Sequence, residues 1–161
     1  MIKKIQKNNV LEALNLFNDY VEVNKDSPSI SMYDRNEAAW INYFVTAVNE
    51  QEKSNPHYLV IGDYDNGLQG FILATSFQNY YNNQYVMDVK ECAVSSSCAK
   101  PIWTVTKLFN EVMSHVKKHG GKYWRADSIR LHEESLKYGK LLEKKYKGVI
   151  HFSVNGIIKG D

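Results

Sequence analysis

Two carboxylates in the middle of the chain are the first candidates for chemistry. Asp88 and Glu91 lie in the segment Tyr85–Val94, whose alternating side chains predict a β-strand. Three positions apart on a regular strand, they are expected on opposite faces, so only one of them can point into a given cleft. Such a carboxylate can act as a general base that takes a proton from an incoming amine. The alternative is that each side chain is exposed or salt-bridged.

The polar segment that follows this strand is the second candidate. It reads SSSCAK from residue 95 to residue 100 and precedes Pro101, which favours the first turn of a helix because its missing N–H needs no partner there. Hydroxyl groups, one lysine charge and the helix-end amides could together bind an anion. The alternative is that the serines only cap the helix. The candidate binding residues are Ser96, Ser97, Cys98, Ala99 and Lys100.

Other reactive side chains form no recognisable site. Cys92 and Cys98 could be a nucleophile or a redox pair, but no His or Asn stands in a partnering motif, which favours a small buried residue and a loop thiol. His115 and His119 have a spacing that can bind zinc, yet a third ligand is not evident and the two intervening lysines would repel a cation. We therefore predict no metal site.

A polar, aromatic stretch is typical of a recognition surface. Tyr80, Tyr81 and Tyr85 flank several Asn and Gln residues, and such a mixture combines rigid contact area with adaptable hydrogen bonds. These three tyrosines predict a protein partner or self-association. The alternative is that they fold back over the edge of the sheet.

The composition limits the possible functions. The 161 residues suit one compact domain, predicted to span residues 1–161, and 43% of them are hydrophobic. A formal charge of +2 is too small to indicate nucleic-acid binding. No apolar stretch suits a signal peptide or the roughly 20 residues of a membrane span, so we expect a cytoplasmic location. The 17 Lys against 3 Arg match an AT-rich genome, as in some bacteria and many of their viruses.

The local patterns predict a definite order of elements. Apolar periodicity predicts a helix from Val10 and another after a capping box formed by Asp34 and Glu37. Asn66-Gly67 predicts a tight antiparallel hairpin, because both positions tolerate positive φ. A long helix is expected from Pro101 to the glycines at 120–121, a strand at 122–127, a helix near 131–147 and two final strands from 149 onwards. This order predicts an α+β (mixed α/β) fold with helices on both faces of a mostly antiparallel sheet.

The order resembles that of the GNAT acyltransferase superfamily over nearly the whole chain. The resemblance implies a central sheet of about seven strands. In that family the fourth and fifth strands splay apart, acetyl-CoA enters the gap, and its pyrophosphate sits on the N-terminus of the next helix. Placed on this sequence, the cradle is Ser96–Lys100. Glu91 is then the preferred base, since it lies nearer the strand end where the family's cleft opens.

Two motifs of that family are missing. The loop has neither the glycines nor the leading Gln or Arg of the pattern Q/R-x-x-G-x-G/A, and a Cβ would block close approach of the backbone to phosphate. The family's acidic Tyr, which protonates the leaving thiolate, falls on Leu142. Tyr138 and Tyr146 each lie one helical turn away.

Two hypotheses of different classes follow. In the first, which the missing motifs favour, the chain is a binding or structural module that has lost or remodelled acetyl-CoA binding, like degenerate GNAT-like proteins of bacteriophage virions. It would then need no cofactor and could be virion-associated. In the alternative, the chain is an acetyl-CoA-dependent N-acyltransferase acting on an amine of a small molecule or protein. Glu91 would be its base, and Tyr138 or Tyr146 its acid.

Overall fold

The computed structural model describes residues 1–23, 25, 36–79, 83–126 and 133–146, with the backbone alone at 133–139. The strands in this part are β1 (Ile2–Lys4), β2 (Tyr58–Tyr64), β3 (Leu68–Asn79), β4 (Gln84–Val94) and β5 (Tyr123–Ala126). The helices are α1 (Val10–Val23), α2 (Glu37–Glu52), α3 (Pro101–Lys118) and α4 (Glu133–Tyr146). One compact unit, Met1–Val23 with Asn36–Asp127, contains every element except α4, which belongs to a second unit, Asn24–Arg35 with Ser128–Asp161.

The five strands form one sheet in the order β1-β2-β3-β4-β5. The first three pairings are antiparallel, and only β4 and β5 run parallel. Between β2 and β3, Asn66 and Gly67 have φ values of 53° and 111°, as the predicted tight hairpin requires. These features confirm the predicted α+β class and its mostly antiparallel sheet.

Helices α1 and α2 cover one face of the sheet. Their apolar residues recur at helical spacing, so each helix buries one side against the strands. Phe44 of α2 meets Phe71 of β3 edge to face, with ring centroids 5.5 Å apart and both side chains fully buried. The core on this face consists of Ile5, Val10, Ala13, Leu16, Phe44, Ala47, Val48, Val60, Leu68, Phe71, Leu73 and Ala93.

Helix α2 does not begin with the predicted capping box. Its N-cap is Asn36, whose side-chain oxygen accepts a hydrogen bond from the backbone N–H of Ala39 at 2.9 Å. Asn is as good an N-cap as Asp, and Asn36 directly precedes the first helical residue. Asp34 lies outside the described residues.

Helix α3 packs on the opposite face of the sheet. Leu108 and Val112 are fully buried there. Pro101 occupies the first turn as predicted. Gly120 ends the helix with φ of 71°, and the N–H of Gly121 donates to the carbonyl of Val116 at 2.8 Å. This arrangement satisfies carbonyls that would otherwise lack partners at the helix end.

A buried carboxylate fixes the first turns of α3 to strand β2. Asp63 is only 1% exposed; it accepts a hydrogen bond from Thr104 Oγ1 at 3.1 Å and forms ion pairs with Lys107 and with the amino group of Met1. Burial by itself raises the pKa of Asp63. Hydrogen bonds from Lys107, the Met1 amino group and Thr104 outweigh burial, so the pKa lies below its ordinary value of 3.8.

The described part of the chain contains five strands, where about seven were expected. The two predicted strands from residue 149 onwards lie outside the described residues. Helix α4 spans Glu133–Tyr146, close to the predicted range. Among the helices described, none is long and apolar enough to cross a membrane. The prediction that residues 1–161 form one domain stays a prediction.

We expect Asp63→Asn to destabilise the protein by about 3 kcal/mol, because it removes the buried carboxylate that pairs with Lys107 and with the Met1 amino group. Folding lowers the pKa of Asp63, so its contribution is present above pH 3.8 and is lost as the pH falls through the lower folded value. Urea denaturation should therefore show a large difference from wild type near pH 6 and a small one near pH 2. Asp65→Asn, at an exposed turn position, is the control and should match wild type. An equal difference at both pH values would contradict this role of Asp63.

Candidate active site

A β-bulge in β4 decides which side chains share a face. Leu73 pairs with Glu91, whereas the next residue of β3 pairs with Val89, so Lys90 is the extra residue of the bulge. The bulge shifts the alternation of side chains by one position. Asp88 and Glu91 therefore both lie on the face covered by α1 and α2. The prediction that they lie on opposite faces is wrong, because it assumed a regular strand.

The described pairing of β4 with β5 covers only the first half of β4. It runs in parallel from Val86 and Tyr123 to Val89 and Ala126, and residues 127–132 lie outside the described residues. Beyond the bulge, residues 91–94 of β4 stay paired with β3.

Glu91, directly after the bulge, is half-buried. Burial raises the pKa of Glu91 from 4.5 to about 7, and the nearby Trp40 indole opposes part of that increase. A carboxyl group with a pKa near 7 is ionised in about half of the molecules at neutral pH, a favourable condition for a general base. Its environment thus suits the role predicted for it.

Asp88 is held by two cations. It is 1% exposed, and Arg125 binds it with both Nη2–Oδ2 at 2.8 Å and Nε–Oδ1 at 3.3 Å. Lys90 binds the same carboxylate. The Arg125 guanidinium also lies 5.1 Å from the ring centroid of Phe77. Asp88 is therefore the salt-bridged carboxylate of the pair, and Glu91 is the one without a cationic partner among the described residues.

The segment 95–100 forms a turn that needs no glycine. None of its six residues has a positive φ. The hydroxyl oxygens of Ser95 and Ser97 are 2.8 Å apart, the N–H of Ser97 donates to Ser95 Oγ, and the N–H of Cys98 donates to the Ser95 carbonyl at 3.0 Å. Two of the amides predicted to hold an anion are therefore used within the turn itself.

The first turn of α3 has no side-chain cap. Its N-cap is Lys100, whose side chain makes no capping hydrogen bond, so the alternative in which serines cap the helix is wrong. Pro101 has no N–H, and no described side chain accepts from the amides of Ile102 and Trp103. A helix N-terminus with unsatisfied amides favours an anion, and the exposed Lys100 adds a positive charge.

A shallow cleft of about 480 Å³ adjoins this helix start. Ile102 and Trp103 line it and are 56% and 60% exposed, which is unusual for side chains of their size. Among the described residues that line it, Lys100 carries the one charged group. The cleft thus combines apolar surface with a cation and suits a ligand that carries both apolar and anionic groups.

The two thiols are poor candidates for chemistry. Burial, with a smaller effect of the Glu91 charge, raises the pKa of Cys92 to about 12, so this thiol stays protonated. The Cys98 sulfur lies 3.5 Å from Thr104 Oγ1. Both cysteines are free. The His115 ring makes a 2.8 Å hydrogen bond with the carbonyl of Pro56.

The other predicted residues are only partly described. Tyr85 is 49% exposed, and its ring centroid lies 4.4 Å from that of His57 with the two planes tilted by 39°. Tyr80 and Tyr81 lie outside the described residues, as does the side chain of Tyr138. Burial raises the pKa of Tyr146 on α4. The roles predicted for these residues stay predictions.

Sequence reasoning missed two residues that shape the surroundings of the carboxylates. Arg125 faces Asp88 across β4 and β5, a parallel register that no local pattern reveals. Trp40 lies within the second predicted helix and has no predicted role, although its indole lies near Glu91. The one available signal was composition, since Trp carries an N–H that needs a partner when buried.

We expect Glu91→Gln to change the pH dependence of stability. Folding raises the pKa of Glu91, so its contribution is fully present below pH 4.5 and is lost as the pH rises through about 7. Wild type should therefore lose up to about 3 kcal/mol relative to Glu91→Gln between those pH values. Urea denaturation at several pH values measures this difference. Glu111→Gln, at an exposed site on α3, is the control; a parallel profile for wild type and Glu91→Gln would refute the raised pKa.

Comparison with solved structures places this architecture among acetyltransferases. An aminoglycoside acetyltransferase from an uncultured soil metagenomic sample superposes with a TM-score of 0.68 at 13% identity, over 100% of this chain and 98% of the other. A ribosomal-protein-alanine N-acetyltransferase from Brucella melitensis biovar Abortus 2308 gives 0.65 at 12%, over 99% of both chains. An aminoglycoside 6'-N-acetyltransferase from Acinetobacter haemolyticus gives 0.67 at 13%, over 100% and 99%.

The similarity is one of fold. No protein-family model matches the sequence, and no curated protein matches it. Identities of 12–13% carry no residue-level assignment. The comparisons lend no support to a bacteriophage origin or a virion role. The chain has a GNAT-like fold, as its order of elements predicted.

Proposed function

We propose that this chain is an N-acetyltransferase that uses acetyl-CoA to acetylate an amine of a small molecule or protein. The observation that carries the proposal is the environment of Glu91, a half-buried carboxylate with a pKa of about 7 that lies directly after the bulge of β4. The acetyltransferases among the structural neighbours support this hypothesis over a non-catalytic module. The module hypothesis rests on missing sequence motifs alone.

The residues at the start of α3 fit the cofactor through a reduced set of groups. The amides of Ile102 and Trp103 at the start of α3, with the Lys100 ammonium, would hold the pyrophosphate. The amides of Ser97 and Cys98 already donate hydrogen bonds within the turn. When bound, acetyl-CoA supplies the acetyl group as a thioester. We expect weaker binding than a full glycine-rich cradle would give, because fewer amides are available.

The missing glycines do not exclude this reading. Glycine is required where the backbone needs a positive φ or where a Cβ would block the ligand. No residue of the turn at 95–100 has a positive φ, so its backbone conformation does not require glycine. The second applies only to the amides used for binding, and in this chain those belong to the helix start rather than to the turn.

Glu91 would act as the base. An amine is largely protonated at neutral pH and must lose a proton before its nitrogen can attack. The ionised Glu91 carboxylate would accept that proton, directly or through a water molecule. Its pKa of about 7 keeps a large fraction ionised at neutral pH while leaving it basic enough to accept a proton.

The acid that protonates the departing sulfur would be a tyrosine of α4. Burial raises the pKa of Tyr146, so this phenol stays protonated at neutral pH and can donate. Tyr138 lies two turns earlier on the same helix. Replacing each by Phe separately identifies which of them contributes.

Acetyl-CoA should stabilise the protein measurably. At one hundred times its dissociation constant, a specific ligand adds about 2.7 kcal/mol to the free energy of unfolding, which raises the melting temperature. We expect Lys100→Glu to abolish most of this increase, because it places a negative charge beside the pyrophosphate. Lys122→Glu, an equal charge change at an exposed position beyond the far end of α3, should keep it. No increase at millimolar acetyl-CoA would sink the transferase proposal.

Activity should depend on the ionisation of Glu91. With an amine acceptor in large excess, kcat/KM should rise with pH and level off above a midpoint of about 7. Glu91→Gln should lose a factor on the order of 10²–10⁴ and its pH dependence near 7. Asp88→Asn is an unsuitable control because it breaks the ion pairs of β4 and β5, so Glu111→Gln serves instead. A Glu91→Gln enzyme with unchanged kcat/KM would eliminate this role.

A further inference from the structure

The indole of Trp40 is held in a stack of aromatic rings on α1 and α2. It lies between Phe17, at 4.4 Å with an interplanar angle of 6°, and Phe44, at 4.9 Å with an angle of 29°. Phe71 of β3 meets it edge-on at 6.4 Å. Neighbours on both faces and at one edge fix the plane of the indole, and with it the direction in which its N–H points.

That N–H is buried without a hydrogen-bond partner in the described part of the chain. Leaving a buried donor unpaired costs about 1–3 kcal/mol, so native structures rarely contain one without a reason. The cost could be removed by replacing Trp with Phe, which fits the same kind of stack. The unpaired Nε1 of Trp40 therefore needs an explanation.

The Glu91 carboxylate, on the same face of the sheet, offers one. Phe71, which the indole contacts, pairs with Ala93 across β3 and β4, and the adjacent pair on the same face is Leu73 with Glu91. Indole and carboxyl thus occupy one patch of the sheet. Trp40 is also the one group that opposes the rise that burial causes in the pKa of Glu91. In this structure, however, the indole N–H and the Glu91 carboxyl do not meet hydrogen-bond geometry.

We propose that the Trp40 N–H stays unpaired while Glu91 is protonated and donates a hydrogen bond to the Glu91 carboxylate when Glu91 loses its proton. Trp40 is then a positioning residue, which acts on the reaction through Glu91. A charged acceptor roughly doubles the strength of a hydrogen bond, so the donor gains most in the ionised state. Its importance for catalysis rests on the proposed function, while the contact itself does not.

The other titratable groups on this face of the sheet have partners of their own or are phenols. Asp88 is paired with Lys90 and Arg125. On α1, the Glu12 carboxylate accepts a hydrogen bond from the backbone N–H of Leu68 at 2.8 Å. The phenols that the helices and β2 bring to this face belong to Tyr20, Tyr43, Tyr58 and Tyr64. Cys92, the next residue of β4, has its pKa raised to about 12 and is neutral as well.

The first test uses the wild-type protein and needs no enzymatic activity. In a proton–nitrogen NMR spectrum, the Trp40 indole N–H signal should move downfield as the pH is raised through about 7, with the midpoint of Glu91. In Glu91→Gln the same signal should not titrate in that range. The signals of Trp103 and Trp124 are internal controls. A Trp40 signal that stays constant from pH 5 to 9 in wild type overturns the proposal.

The second test removes the donor and keeps the ring stack. Trp40→Phe should raise the titration midpoint of the Glu91 carboxyl by about one pH unit. Carbon NMR of that carboxyl group measures the midpoint. Trp124→Phe makes the same chemical change on the other face of the sheet, where Trp124 contacts Phe109, and should leave the midpoint unchanged. A midpoint that is equal in Trp40→Phe and wild type overturns the proposal.

The two proposals can fail separately. If the NMR titrations behave as expected but kcat/KM shows no dependence on Glu91, the hydrogen bond between Trp40 and Glu91 is supported and the transferase function is contradicted. If activity depends on Glu91 but Trp40→Phe leaves both the NMR midpoint and the pH–rate profile unmoved, the function stands and the role of Trp40 falls.

Discussion

The whole candidate site depends on one extra residue in β4. Without the bulge at Lys90, Glu91 would point toward α3 and away from the aromatic core, while Asp88 alone would face α1 and α2. A bulge inserts one residue into its strand and so reverses the alternation of side chains beyond it. One local irregularity therefore decides on which face of the sheet the Glu91 carboxylate lies.

The two carboxylates of β4 differ because their surroundings differ. Asp88 is almost fully buried but keeps two cationic partners, which offset the cost of removing its charge from water. Glu91 is less completely enclosed and has no such partner among the described residues, so the neutral form is favoured. The same strand thus carries a structural ion pair and a carboxyl group that can exchange protons near neutral pH. This division of roles is a common way to obtain acid–base chemistry from ordinary side chains.

The proposed binding and the proposed proton transfer would use different parts of the framework. Asp63 ties the first turns of α3 to β2 through Thr104 and Lys107. The Trp40 indole of the aromatic stack opposes part of the rise in the pKa of Glu91. The glycine-free turn at 95–100 is stabilised by its own serine hydrogen bonds. It therefore has less freedom than a glycine-rich loop, and the proposed cofactor contacts come from the helix start instead.

The sequence by itself determined the elements and their order, because those follow from local forces. Asn66-Gly67 permits positive φ, Pro101 suits a helix start, and Gly120 suits a helix end. From that order came the GNAT-like fold. The sequence could not determine which faces Asp88 and Glu91 occupy, since the alternation that predicts a strand has no signal for a bulge. Nor could it foresee that Arg125 would neutralise Asp88 from a strand 37 positions away, or that Trp40 would reach Glu91. Proton affinity depends on burial and on partners distant in sequence, and only the tertiary structure brings these together.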